Sequence, residues 1–478
     1  MMLGWMIAGA AASLLAVLLT RAFLFKPLQE EKPQARSVSI NDEKIVRDMQ
    51  ALIQCKTVSY RDRTLEDAQA FEEFPQLLKA LYPNMHENLQ QEAIGDRGLL
   101  YRWPGKRSDK PSVLMAHYDV VPVQEEMWNK PPFSAHVEDG ILWGRGTLDT
   151  KGTLLGVMEA AEQLIQEGFV PENDLYLAFG GDEEINGGGA PGIVAELRRR
   201  GITPVFVLDE GGAVVEHVFP GVKEPCALIG IAEKGMTNIM FEINAAGGHA
   251  SAPPPHTSVG LLARAVARVE DHPFPFTLTP AAKAMFSTLG RRSSFLFRLI
   301  FANLWCFAPL LDLLCKKTGG ELNALTRTTC AFTQMAASPT PNVLPPKAKV
   351  VANLRLITGE TMESARERLT RVISDQRVSV QVLEGANPSP CSPASGEAWE
   401  RLKGAVEETW PEAVVSPYLM VAASDARHYA GLSEHVYRFS AMALSLEERR
   451  MIHGNNERIP LSKLNQTVRF YLRLITKC

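Results

Sequence analysis

Three short apolar runs in the first half of the chain each stop at an acid or a histidine, and this pattern constrains the fold more than any other feature. Residues 112–116 lead into His117, residues 175–179 run up to Asp182-Glu183-Glu184, and residues 205–208 stop at Asp209-Glu210-Gly211-Gly212. Helix-like stretches at 151–166 and 192–200 separate the runs. Apolar runs of four or five residues alternating with helices read as strands of a buried, largely parallel sheet. Ligands of such sheets bind beyond the carboxyl ends of the strands. The chain therefore places acids and a histidine where chemistry is expected, and its fold class is α/β.

At 478 residues the chain exceeds what one core usually holds. A second region begins near Lys234: 238–243 alternates in polarity, 349–357 reads as a strand and 360–374 as a helix. These describe an α+β unit inserted into the first domain. The expected division is an apolar terminus at 1–26, a linker at 27–42 containing Pro27 and Pro33, a first part at 43–233, the insertion at 234–385 and a second part at 386–478. A formal net charge of -4 gives no basic footprint for nucleic acid. None of the seven cysteines forms a CxxC pair, which argues against a zinc knuckle or a dense disulfide scaffold.

Residues 3–20 carry no charge, and Arg21 and Lys26 follow. A run of that length sits at the edge of the membrane-spanning range. It is long for a signal-peptide core, and no basic residue precedes it. A retained anchor and a cleaved signal both remain open, and either places the chain in the secretory pathway. A second apolar stretch at 294–314, around Leu304-Trp305-Cys306-Phe307, is interrupted by Arg298 and Asp312. It reads as a second span, a lipid-facing amphipathic segment or an ordinary core helix.

Five groups carry the chemistry. A histidine at a strand end, His117, can bind a metal through one ring nitrogen, and Asp119, two residues on and on the same side, can hold the other nitrogen. A surface His and a turn Asp are the plainer alternative. Asp149, in Gly144-Arg145-Gly146-Thr147-Leu148-Asp149, sits at a helix start, where capping alone would explain it. Of the adjacent carboxylates Glu183 and Glu184, one can ligate a metal while the other takes a proton, although a solvated acidic loop has the same composition. Asp209-Glu210 and, far along the chain, His453 complete the set. Each residue alone has an ordinary structural explanation. Two histidines and three acidic sites together suit zinc, or manganese or cobalt in its place.

At these residues the sequence resembles the zinc aminoacylase/carboxypeptidase family that includes carnosinase and bacterial glutamate carboxypeptidase. The motifs are AHYDVVP at 116–122, GRGTLDTKG at 144–152, DEE at 182–184, LDEGG at 208–212 and HGNNE at 453–457. Within that family, Ser424-Asp425-Ala426-Arg427-His428-Tyr429, Arg438-Phe439-Ser440 and the apolar insertion resemble the N-fatty-acyl-amino-acid synthase/hydrolase and carboxypeptidase S branch. The resemblance implies a di-zinc exopeptidase-type catalytic domain with an inserted α+β lid. It implies two Zn2+ per subunit: Asp149 bridges, His117 with Asp209 or Glu210 completes one site, and Glu184 with His453 completes the other. Glu183 would be the general base and Asp119 the orienter of His117. In the lid, His249 would reach the scissile carbonyl, often across a homodimer. Arg355 would grip the substrate carboxylate and Asn342 would make a further contact.

The implied reaction is hydrolysis, and reverse condensation, of an N-acyl amino acid, with N-fatty-acyl amino acids foremost. A carboxypeptidase or dipeptidase is the second reading, and a non-enzymatic receptor ectodomain the third. The last is expected to have lost ligands, whereas this chain keeps them all. Membrane association is a further expectation from the apolar segments. Departures from the family are Thr150, where many relatives have a second Asp, Gly181, where the branch often has His, and the run Gly187-Gly188-Gly189. Other relatives vary at Thr150 too, so it poses little threat to activity, whereas the glycine departures bear on loop rigidity and substrate preference but not on the metal ligands.

Overall fold

The computed structural model describes residues 2–27 and 37–478, so most of the expected linker at 27–42 lies outside the described residues. Eight strands form the main sheet, in the order Gln90–Ile94, Gly98–Trp103, Asn173–Gly180, Arg107–His117, Phe206–Val215, Val436–Leu444, Cys226–Glu233 and Val414–Met420. The four strands from Asn173–Gly180 to Val436–Leu444 run parallel. Antiparallel neighbours close both sides, through Gly98–Trp103 on one and Cys226–Glu233 on the other. The sheet is thus mixed, and its parallel part is the part the apolar runs encode.

Those runs are continuous because both faces are covered. Leu114, Ala116, Leu175 and Leu177 face a core shared with the helices Lys151–Gln166 and Leu461–Ile475. Val113, Met115, Tyr176 and Ala178 face the opposite way, against Ile193, Val194 and Leu197 of the helix Gly189–Arg199. Fully burying a side chain of this size contributes about 1.5–3 kcal/mol, so a one-residue slip of register would be expensive. The third run differs from expectation in one respect. Its strand does not stop at Asp209 but continues to Val215. Gly211 and Gly212 permit this, because a Cβ on Gly212 would stand 1.8 Å from the Leu228 carbonyl oxygen. The acids of this segment therefore lie within a strand, not beyond its end.

The inserted unit has a second, four-stranded antiparallel sheet in the order Thr329–Ala336, Lys347–Leu356, Gly235–Asn244, Ser379–Ala386. Alternation in Lys347–Leu356 turns Ala348, Val350, Ala352, Leu354 and Leu356 inward, against the helices Ser258–Asp271 and Met362–Ile373. Thr257 caps the first helix, and Thr361 with Ser364 forms a capping box on the second. Between these parts, apolar residues from Ala281 to Leu325 join the core of the main sheet, not that of the second sheet.

A small third sheet matters for the site. Arg458–Pro460 pairs with Ile141–Trp143, which pairs with Val137–Glu138. It draws the end of the HGNNE segment onto the loop that precedes Asp149.

Candidate metal centre

His117 closes the strand Arg107–His117 and is buried. Its Nδ1 lies 2.9 Å from the Asp119 carbonyl oxygen and 3.3 Å from the Asp119 carboxylate. That leaves Nε2 to face outward, 3.0 Å from Asp149 Oδ1 and 3.4 Å from Glu210 Oε1. The second oxygen of Asp149 lies 2.9 Å from His453 Nε2, which is also 3.0 Å from Glu184 Oε2. One carboxylate thus stands between two imidazoles, each with a further carboxylate at its side.

Asp149 is not a helix cap. The cap of Lys151–Gln166 is Thr150, which makes no side-chain cap bond. The structure also separates the two acids of the third run. Glu210 turns toward His117. The buried Asp209 turns away, and its Oδ2 accepts the Ala426 N–H at 2.8 Å. Glu183 begins the short turn Glu183–Ile185 and faces the same group, forming a cluster with His117 and Glu210 whose ligand atoms all lie within 4.8 Å.

The electrostatics of the cluster fit a cation. Burial raises Glu210 to about 8, with the Asp149 charge adding to it. Burial also raises Glu184 and pushes Glu183 well above the usual carboxylate range, the latter helped by Asp425. Hydrogen bonds to Asp149 and Glu184 raise His453 to about 10. Burial works against a charged His117, but the Glu210 charge and the bonds to Asp119 and Asp149 lift it well above the ordinary histidine value. Glu184 Oε1 is buried with no hydrogen-bond partner. Such an orphaned buried oxygen is costly. A divalent ion bound by this donor set would satisfy it and offset the repulsion among the carboxylates.

Three acids hold the cluster in place, and only one of them was given a role from the sequence. Asp119 accepts the backbone N–H groups of Glu183 (3.1 Å) and Glu184 (3.2 Å) and the Ser59 hydroxyl (2.7 Å). It orients the acidic turn as well as the histidine. Glu457 is wholly buried and accepts from Leu148 N (2.7 Å), Gly146 N (3.0 Å) and Arg145 Nη1 (2.7 Å), which fixes the loop that carries Asp149. Its presence in HGNNE was the available signal. Asp182 accepts from Gly188 and Gly189, and a Cβ on Gly187 would fall 2.1 Å from its Oδ2. The glycine run therefore wraps a carboxylate. Gly181 also has a local cause, since a Cβ there would stand 2.3 Å from the Tyr118 ring.

The inserted unit contributes differently. His249 pairs with Val343 in a two-stranded ladder, and the Asn342 carbonyl accepts the Ala250 N–H at 3.0 Å. His249 and Asn342 are thus neighbours, and both are exposed. Arg355 lies on Lys347–Leu356 opposite Met236. Among the described residues, none of the three bonds to the metal cluster. A cavity of ≈ 360 Å³ lies between the two units, lined by Ile185, Asn186, Lys234, Met236, Arg427 and His428. It abuts the turn that carries Glu183 and Glu184.

Residues 113–477 match the model of Peptidase family M20/M25/M40, and the chain belongs to that family. Among curated relatives it is 34% identical to the N-fatty-acyl-amino acid synthase/hydrolase PM20D1.1 of Danio rerio, over 97% of this chain and 92% of the relative. It is 35% identical to the probable carboxypeptidase S-like 2 of Dictyostelium discoideum, over 91% of this chain and 85% of the relative. Among solved structures, the M20 family metallo-carboxypeptidase Sso-CP2 of Sulfolobus solfataricus superposes with a TM-score of 0.68 at 16% identity, covering 91% of this chain and 99% of that one. The structural likeness bears on the fold alone.

Proposed function

We propose that this chain is a two-zinc amide hydrolase of N-fatty-acyl amino acids that also condenses a fatty acid with an amino acid when products accumulate. One observation carries the chemistry: the Asp149 carboxylate lies between His117 and His453, with Glu210 and Glu184 alongside. His117, Asp149 and Glu210 would hold one ion, and Glu184, Asp149 and His453 the other. Two such ions supply Lewis-acid polarisation of the carbonyl and make water acidic enough to react at neutral pH.

The chain's own residues do the rest. Glu183 takes a proton from water as its oxygen adds to the carbonyl carbon, and delivers a proton to the nitrogen as the C–N bond breaks. Asp119 fixes the Glu183 backbone during the transfer. His249 would donate to the developing oxyanion on lid closure, and Arg355 would pair with the substrate carboxylate through a two-pronged guanidinium contact. Asn342, beside His249, would contact the substrate as well. A homodimer through the lid and a secretory location accord with this reading.

The substrate class rests on the 34% identity to the acyl-amino-acid enzyme over nearly the whole chain. The carboxypeptidase S-like relative favours a second reading, a peptidase with the same centre. Hydrolysis of N-oleoyl-phenylalanine and of benzyloxycarbonyl-capped dipeptides by the zinc-loaded protein, with Glu183→Gln as control, separates them. Turnover of the acyl amino acid that is lost in the mutant is expected. Turnover of the peptides alone would transfer the assignment to the second reading.

A further inference from the structure

The first helix, Met2–Leu24, is long and apolar enough to cross a bilayer over Trp5–Leu24. A cleaved signal has no need to pack on the mature protein, yet this helix is fastened to it at one end. Leu18 and Ala22 are buried. The wholly buried Asn303 donates from Nδ2 to the Leu18 carbonyl at 3.0 Å and to the Leu299 carbonyl at 2.9 Å. Arg21 returns two bonds to the Ala302 carbonyl, at 3.2 and 3.0 Å, where the helix Phe295–Ala302 ends. Phe23 and Phe295 have ring centroids 5.1 Å apart, and Arg291 bonds the Lys26 carbonyl while lying over the Phe25 ring.

The element clamped in this way is itself apolar and open. Phe295–Ala302 and Leu304–Thr318 meet at a bend of 109°. Eight and fifteen helical residues measure about 12 and 22 Å, too short for either to cross the roughly 30 Å hydrocarbon layer. Leu296, Trp305, Leu310, Leu313 and Leu314 are exposed on the pair, Trp305 by 60%. Within it Asp312 is tied to Lys316 and Arg327. In sequence, Lys26 follows the first helix, Arg292 precedes the pair and Lys316 and Lys317 end it, residue types that suit phosphate headgroups. The same end of the first helix that emerges from a bilayer thus carries an apolar platform with cations beside it in sequence.

We propose that Met2–Leu24 is a retained membrane anchor locked to the catalytic unit through Asn303 and Arg21, and that the bent pair 295–318 lies in the adjoining leaflet. The occupant of the exposed apolar face is a phospholipid bilayer. The anchor holds the enzyme in a fixed pose on that surface instead of on a loose tether. This deepens the secretory reading of the terminus and is independent of the catalytic one, so its tests use no activity.

Full-length chain made in a eukaryotic secretory host is fractionated with alkaline carbonate and its mature N-terminus determined. The chain is expected in the membrane pellet with residues 5–24 retained. A soluble product beginning after residue 26 would overturn the anchor. The full-length protein and Trp305→Phe are then reconstituted in phosphatidylcholine vesicles with and without acyl-brominated lipid. The emission assigned to Trp305 by difference is expected to fall at least twofold with the brominated lipid. Unquenched Trp305 emission would overturn the placement of the pair, and a dimeric mass alongside it would give that face to a second copy.

Discussion

The strand-end cluster and the lid edge are built on opposite principles. At the cluster, three buried acids hold the segments that carry or adjoin Asp149, Glu183 and Glu184: Asp119 pins the Glu183-Glu184 backbone, Glu457 pins the Asp149 loop, and Asp182 gathers the glycine loop. At the lid edge, His249 and Asn342 are exposed, and neither they nor Arg355 bond to the cluster. A site that concentrates like charges must be rigid before the ion arrives, because reorganisation at that moment would weaken binding. If the lid edge grips substrate as proposed, it gains from waiting, since closure on the substrate would supply the missing contacts.

This contrast can be broken or sharpened by experiment. Removing divalent ions with a chelator is expected to abolish turnover, and zinc is expected to restore it. Retained activity in a metal-free sample would remove the basis of the comparison. Glu183→Gln is expected to lower kcat by about 10²–10⁴-fold while leaving the melting temperature and metal content unchanged, because its carboxylate does not hold the loops. Glu457→Gln should reach both activity and stability. It breaks a buried pair with Arg145, a class of change that costs about 3–5 kcal/mol, measurable by denaturant unfolding. His249→Ala is expected to lower kcat roughly 10²-fold with no change in unfolding, since the side chain is exposed. Arg355→Lys keeps the charge but loses the two-pronged contact, so KM is expected to rise roughly tenfold with kcat nearly constant. If the lid variants destabilised the protein as much as Glu457→Gln does, the proposed division between rigid and waiting parts would be wrong.

The sequence showed some of this plainly and hid the rest for physical reasons. Each apolar run ends beside an acid or histidine because the sheet is covered on both faces, and a covered strand has few other positions for a polar group. That placement made His117 and the Asp182-Glu184 turn candidates, but only the whole set of histidines and acids gave them a metal reading. The choice between Asp209 and Glu210 was not legible, because neighbouring strand residues point to opposite faces and the glycines at 211–212 carry the strand on past them. Glu457 was visible only as a letter in a motif. Its partners are backbone N–H groups more than three hundred residues earlier, and backbone donors leave no mark in composition. The apolar character of 3–20 and 294–314 was evident, but the bond from Asn303 to Leu18 spans 285 positions and has no local signature.

The most direct test of the central claim is the metal content of purified protein. Mass-spectrometric metal analysis should find two zinc ions per chain in the wild type, one in Glu210→Ala or His453→Ala, and none held firmly in Asp149→Ala, because that carboxylate lies between both histidines. Two ions retained by Asp149→Ala, or no stoichiometric metal in a folded wild type, would contradict the account.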